Sequence, residues 1–242
     1  MRLSLHCELK ENEIPLDYRR KIVSMFKRCL TNYDKDVYNK YYHMRDPIQK
    51  EFTFSNYFQK PIMKKETIEI PNKRIIINFS TSDNVIGIDF YNAFVKNLYQ
   101  EIRFSNLNSI KITRIVVQKE RKIVSNKVVF RTQSPLIVRD HHPESGKDWY
   151  YSCNDMNFEK FLKRNLYNQL KDKFSEKIEK DLENLSIRKV DMKKIIVTSY
   201  GIKMASSIGS FEMEGEQYIL NEIYQSGAGS KKSLGFSMVD IV

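Results

Sequence analysis

The chain is short of the residues that most often announce a fold or a chemistry. Only three cysteines, Cys7, Cys29 and Cys153, occur in 242 residues, widely spaced and without a Cys-x-x-Cys pair. That argues against a disulfide scaffold or a zinc ribbon and fits a reducing compartment such as the cytoplasm. Long apolar runs are missing as well. Residues 2–9 alternate instead of forming an apolar core, and no stretch approaches the length of a membrane span, so neither a secretory leader nor a membrane anchor is expected. Glycine is scarce, with eight in the chain, yet three of them fall within the nine positions from Gly227 to Gly235.

Clustered glycine implies positive φ or close approach of the backbone to a partner. Here Gly227, Gly229 and Gly235 bracket Lys231 and Lys232, which are flanked by the hydroxyls of Ser230 and Ser233. Backbone N–H groups beside two ammonium groups describe an anion site, most simply for phosphate. An ordinary glycine turn before a strand is the plainer alternative. A nucleotide P-loop is excluded, because Ser230 stands where its second glycine belongs and the apolar residues 234–242 read as a strand, not the required helix. The dinucleotide fingerprint fails because its third glycine would fall on Lys232. A polymer backbone is the better ligand.

What is present in excess is positive charge and aromatic surface. The formal net charge is +11, with 14 Tyr and 14 Phe. Residues 1–121 carry 22 Lys/Arg against 14 Asp/Glu, and residues 122–242 carry 19 against 16. Phosphate neutralisation and base stacking make nucleic acid the partner class that fits.

Periodicity orders the elements. Residues 2–9 place Leu3, Leu5, Cys7 and Leu9 on one strand face, and Pro15 is expected to open a helix with Ile22, Val23, Phe26, Cys29 and Leu30 inward. Asn32 and Asp34 end it, and a short helix follows over 37–42. Residues 52–58 read as a strand, and 68–70 with 74–79 as a hairpin around Pro71-Asn72-Lys73. Asp83 or Ser82 caps a helix with Ile86, Phe90, Phe94 and Leu98 buried, and 110–117 is a strand. The second half repeats this order: strands at 127–132 and 135–138, an irregular polar connection over 140–155, and a long helix over 157–185. Strands at 195–200 and 209–213, a helix at 217–224 and a strand at 236–242 complete it. The expectation is an α+β protein of two tandem ferredoxin-like (β-α-β-β-α-β) domains with antiparallel sheets, residues 1–121 and 122–242.

Several segments together resemble the CRISPR-associated endoribonucleases of the RAMP superfamily, which cut repeat RNA from a long precursor. The pattern G-x-G-x5-G-F is carried by Gly227, Gly229, Gly235 and Phe236. Ser134-Pro135-Leu136-Ile137-Val138-Arg139-Asp140 is similar to a second family motif, and His43, six residues, then Lys50-Glu51-Phe52-Thr53-Phe54-Ser55 to a third. The helix bearing Arg164-Asn165-Leu166 also matches. Two positions depart: Ser237 replaces the usual glycine, and Lys27 or Phe26 stands where a tyrosine is often found on the first helix.

The resemblance implies metal-independent cleavage of CRISPR precursor RNA within its repeats, with no cofactor and no metal. In that reaction the ribose 2′-OH attacks its own phosphate, leaving a 2′,3′-cyclic phosphate and a 5′-OH. It needs a base, an acid and positive charge on the phosphorane. Histidine suits proton transfer near neutrality and lysine suits a point charge. A lone histidine at a helix–loop junction is usually structural, but the match selects His43 and Lys50 as catalytic, with Tyr42, or else Tyr41, able to orient the 2′-OH. His6 is placed on a strand face opposite the apolar one. His141 and His142 lack further ligands at zinc spacing and read as solvated. Expected RNA contacts are Arg19, Arg20, Lys27 and Arg28 on the first helix, Arg139, and the loop residues Gly227, Gly229, Lys231, Lys232 and Gly235, on a basic face spanning both domains. The alternative implied is a non-catalytic subunit that holds repeat RNA among other subunits of a CRISPR effector complex.

Overall fold

The computed structural model describes residues 1–43, 50–106, 108–142, 144, 146–174 and 177–242. The chain divides into two compact units, Met1–Glu120 and Arg121–Val242.

The first unit is built on β1 (Arg2–Leu9), whose Leu3, Leu5, Cys7 and Leu9 alternate into the core as the period of two requires. β1 pairs antiparallel with β6 (Arg74–Thr81) on one side and β8 (Ser109–Val117) on the other. β3 (Phe52–Phe58) and β7 (Glu101–Arg103) complete a five-stranded sheet in the order β3-β6-β1-β8-β7. Its helices are α1 (Tyr18–Tyr33), α2 (Lys35–Tyr42) and α3 (Asn84–Lys96). Asp34 and Asp83 cap α2 and α3, each accepting hydrogen bonds from two backbone N–H groups of the first turn. Phe26 of α1 is the centre of the core, with the rings of Phe54, Phe79, Phe90 and Phe94 at 5.1, 6.2, 6.0 and 5.2 Å.

The second unit repeats the plan. β9 (Lys127–Thr132), β12 (Ser186–Lys189), β15 (Ser210–Glu214) and β16 (Val239–Ile241) form a four-stranded antiparallel sheet in the order β12-β15-β9-β16. With β9, β12, β15 and β16 as its four strands in chain order, this is again the ferredoxin-like arrangement. α4 (Phe158–Leu170), α5 (Ile178–Glu183) and α6 (Gln217–Ser226) pack Leu162, Leu166, Leu182, Leu220 and Ile223 against Phe130 and Phe211. The tandem ferredoxin-like expectation is met. No helix among the described residues is long and apolar enough to cross a membrane.

Several local expectations are not met. Pro15 does not open α1; it ends β2 (Glu13–Pro15), which joins β5 (Thr67–Glu69) and β4 (Ile62–Met63) in a separate small sheet. The turn at Pro71-Asn72-Lys73 exists, yet it does not make a hairpin: Ile68 pairs with Ile14 while β6 pairs with β1 and β3. The Ile70 and Leu9 amides, donating to Asn12 and Lys73, hold the two directions apart. Residues 140–155 are not irregular, because β10 (Val138–His142) and β11 (Lys147–Tyr151) form a hairpin there. Leu136 makes only an isolated bridge, to Ser207. The helix expected over 157–185 is two, with turns after Leu170; residues 175 and 176 lie outside the described ones. The strand expected at 195–200 is β13 (Lys193–Ser199), half of an inserted hairpin with β14 (Ile202–Ile208), and β12 takes its place in the sheet. Adjacent charges hid β12, since Arg188 is tied to Glu212 across the strands and Lys189 to the Cys153 carbonyl rather than buried.

Candidate functional site

In the first unit the close of α2 brings the catalytic candidates together. Residues 44–49, the spacer of the His43–Lys50 motif, lie outside the described residues. Tyr42 is in the last turn of α2 and His43 is its C-cap, exposed, with its amide on the Asn39 carbonyl at 2.9 Å. The ring of Tyr42 lies between two ammonium groups, Lys50 Nζ at 4.4 Å and Lys27 Nζ at 4.8 Å from its centroid. Such placements over a π face are attractive and hold a cation without a counter-charge. Tyr38, one helical turn earlier, stacks on Tyr42 at 5.6 Å and meets the His43 ring edge-on at 5.5 Å. The site is thus a row of imidazole, two phenols and two ammonium groups.

Electrostatics single out Lys50. Burial, then repulsion from Lys27, lowers its pKa below the ordinary lysine value. Among the described residues no carboxylate forms an ion pair with either lysine, so two like charges share one aromatic ring.

The two remaining first-helix alternatives separate. Phe26 belongs wholly to the core, so Lys27 is the residue that α1 presents to the cluster. Tyr41 is committed elsewhere: its hydroxyl donates to Asp89 at 2.5 Å and its ring packs on Phe90. Burial and that carboxylate push its pKa up. Arg19 lies over the Tyr18 ring at 4.8 Å, Arg20 is on the outer face, and Arg28 lines a polar cavity of about 660 Å³ with Lys21, Asn32 and Arg103. His6 lines another cavity, of about 410 Å³, with Tyr57, Arg74 and Arg114 on the sheet.

In the second unit the glycine loop is a packed structure. Gly227 ends α6 at φ 82° and Gly229 has φ 89°; a Cβ on Gly229 would stand 2.5 Å from the Ile137 carbonyl oxygen, so the loop can approach that segment only without a side chain. The amides of Ala228 and Ser230 donate to the carbonyls of Ser237 and Ile137. Asn165 of α4 fixes both partners, its Oδ1 accepting from the Arg139 amide and the Ser230 hydroxyl while its Nδ2 donates to the Arg139 carbonyl. The glycines therefore seat the loop against the Ser-Pro segment, and the amides of Gly227, Ala228, Ser230, Leu234 and Gly235 are spent internally. Ser237 also adopts positive φ, 65°, and its hydroxyl joins Ile137 to Ser230, which accounts for a polar residue where the family has glycine.

The two loop lysines differ. Lys232 begins a single 3-10 turn and is only 4% exposed, whereas Lys231 is half-buried. Burial, then the nearby Arg139, lowers the Lys231 pKa, opposed by Asp148. Arg139 Nη2 is 2.7 Å from Asp148 Oδ1, which also meets His141 Nδ1 at 2.8 Å, and Tyr150 donates to the other oxygen at 3.0 Å. Burial alone would raise the Asp148 pKa, but the hydrogen bonds from Arg139, His141 and Tyr150 outweigh it and hold it at about 2. On the other face of β10, Asp140 is buried between Arg164 at 2.9 Å and His142 at 3.1 Å. Both histidines are exposed, as expected, and each also meets its own carboxylate on opposite faces of the strand. Asp140, Asp148, Tyr150 and Arg164 were missed as a cluster. Their signal was the period-two order Arg139-Asp140-His141-His142, which marks a strand with two charged faces.

The resemblance now has its test. The family model described as CRISPR associated protein Cas6, C-terminal, matches residues 118–241. The chain belongs to the Cas6 family. Membership supports a role in CRISPR repeat-RNA processing or binding. Among solved structures, a Cas6-related protein from Pyrococcus furiosus is similar over 100% of this chain and 98% of its own, at 22% identity and a TM-score of 0.83. A RAMP protein described as binding different RNA substrates covers 100% and 99%, at 22% and 0.82. A CRISPR associated protein Cas6 covers 100% and 99%, at 20% and 0.76. At these identities the structures speak for the fold. No curated protein sequence matches the chain.

Proposed function

We propose that this Cas6-family chain is a metal-independent endoribonuclease that cleaves CRISPR precursor RNA within its repeats. One observation carries the reading: the Tyr42 ring held between the ammonium groups of Lys27 and Lys50, beside His43. Two cations crowded at one site, with no ion-paired carboxylate among the described residues, favour an anion that arrives later, and a phosphorane carries more negative charge than the ground-state phosphodiester. His43 takes the proton of the 2′-OH as its oxygen bonds to phosphorus. Lys50 faces the phosphorane and, with its lowered pKa, gives up a proton to the departing 5′ oxygen more readily than an ordinary lysine. Tyr42 orients the ribose, and Lys27 supplies charge where relatives carry a tyrosine. The P–O5′ bond breaks, leaving a 2′,3′-cyclic phosphate and a 5′-OH.

The RNA contacts of this proposal are Lys231 and Arg139 at the glycine loop, with Lys232 contributing field from beneath, and the α1 cations Arg19, Arg20 and Arg28 contributing diffusely. Gly227, Gly229 and Gly235 act by shaping the loop. The test is incubation with labelled repeat RNA in EDTA, comparing wild type with His43→Ala and identifying the product ends. A specific cut with a 5′-OH end, lost in the variant with binding retained, supports the enzyme. Tight binding without any cut by wild type assigns the chain instead to RNA holding within a larger complex.

A further inference from the structure

The period of two along β10 and β11 gives their hairpin two faces, and only the face of Arg139 and His141 has been given a role so far. The other face carries the cross-strand pairs Val138–Tyr151, Asp140–Trp149 and His142–Lys147. At one end α4 covers it: Val138 is buried, and the Tyr151 ring stacks on Phe161 at 4.4 Å. At the other end it is open. Trp149, the single tryptophan of the chain, stands there 63% exposed. Between the ends lies Asp140, buried, with Oδ1 accepting from Arg164 Nη1 at 2.9 Å and Oδ2 at 3.1 Å from His142 Nε2. The Arg164 side chain is itself 54% exposed, and among the described residues its remaining N–H groups have no acceptor. Lys160, one helical turn earlier, is exposed and has no ion pair among the described residues. Its ammonium group and the Arg164 guanidinium both lie over the Phe161 ring, at 5.9 and 5.8 Å.

Resting on the RNA reading above, we infer that this face is a nucleotide subsite: an unpaired base stacks on the Trp149 indole, and its phosphate is held by Arg164 and Lys160. Asp140 touches no ligand; it is the buried group that aims the guanidinium, as a preorganised contact requires. Three features select a nucleotide as the occupant. The polar groups turned to solvent by Arg164 and Lys160 are donors only, and the acceptors beside them are consumed, Asp140 by Arg164 and His142, and Glu159 by Lys163 at 3.2 Å. A phosphate accepts and does not donate, and a planar guanidinium fork fits it. Trp149 is also the only large apolar side chain exposed among the described residues of the hairpin and α4. A protein partner needs an apolar surround that excludes water from such an anchor, whereas a base needs one ring face. Spacing agrees as well: directly opposed side chains start about 5 Å apart, so one nucleotide spans the indole and the guanidinium fixed on Asp140. Since a paired base has no free face for the indole, the segment bound here is single-stranded.

Because the chain has one tryptophan, its fluorescence reads this site alone. The full-length His43→Ala chain is titrated with labelled repeat RNA, following anisotropy of the label for binding and tryptophan emission for the site. The expected result is quenching of the emission by about a third or more on binding, with the indole shielded from acrylamide. In the same background Trp149→Ala weakens RNA affinity about tenfold, while Trp149→Phe, which keeps a ring, stays within about threefold. Lys160→Gln lowers the salt slope by about one. Both Trp149 positions are exposed enough that the fold survives, as circular dichroism checks. RNA that binds by anisotropy while emission and acrylamide access stay unchanged overturns the subsite and leaves the RNA reading standing. Equal affinities for Trp149→Ala and Trp149→Phe overturn it in the same way. Absence of any RNA binding by anisotropy overturns both.

Discussion

Two groups of positive charge, one in each unit, are held in opposite ways. Around Tyr42, Lys27 and Lys50 lean on an aromatic ring and repel each other, and burial adds to the strain on Lys50. Around the glycine loop, Arg139 is neutralised by Asp148 and Arg164 by Asp140, with His141 and His142 as further partners of the same carboxylates. The first arrangement stores unfavourable charge that an incoming anion relieves; the second spends its charge on holding a hairpin, a helix and a loop in register. Unbalanced charge suits chemistry on a phosphate, and balanced charge suits a rigid contact surface.

The comparison is broken most severely at its first member. Lys50→Met and His43→Ala are each expected to reduce cleavage by about 10²–10⁴-fold, measured by single-turnover kinetics on repeat RNA. Lys50→Met should at the same time raise the melting temperature slightly at neutral pH. A lysine whose pKa is lowered by folding destabilises the native state at every pH below its unfolded value, so removing it relieves that penalty. A drop in melting temperature would contradict the stored-charge account.

Gly229→Ala comes next. It forces a Cβ against the Ile137 carbonyl at positive φ and should destabilise the second unit by about 2 kcal/mol or more, seen in a thermal melt. The two lysines should then part company: Lys231→Ala lowers RNA affinity severalfold and reduces the salt slope by about one, while Lys232→Ala acts mainly on stability. The smallest effect belongs to Asp148. Its pKa of about 2 lies below that of the unfolded chain, so its stabilisation is complete above about pH 4 and disappears as the pH falls through 2. Wild type should exceed Asp148→Asn by on the order of 1 kcal/mol at neutral pH, discounted for partial solvation, and the two should converge in acid.

Much of the fold was legible because each buried strand and helix writes its period into the chain. Leu3, Leu5, Cys7 and Leu9 mark β1 unambiguously, and Asp83 marks the start of α3. β12 was not legible, because only Ile187 of its four residues packs on the core while Arg188 pairs across to β15. The β10–β11 hairpin was misread for the same reason. Periodicity also reported that Ile68 and Ile75 sit on strands joined by a turn, but not that those strands enter different sheets.

At the candidate sites the division is similar. The order of motifs along the chain, carried by His43, Lys50, the Ser-Pro segment and the glycine loop, was enough to point to the family. Local sequence also determined that Gly227 and Gly229 sit in a strained turn, since only glycine tolerates that backbone cheaply. Tertiary structure alone decided that Lys27 shares the Tyr42 ring with Lys50 across two helices and a loop, that Tyr41 is taken by Asp89, and that Lys232 points inward while Lys231 does not. The reason is physical: conformation within a turn is set by neighbours in the chain, whereas burial and charge coupling depend on distances between residues that the chain separates.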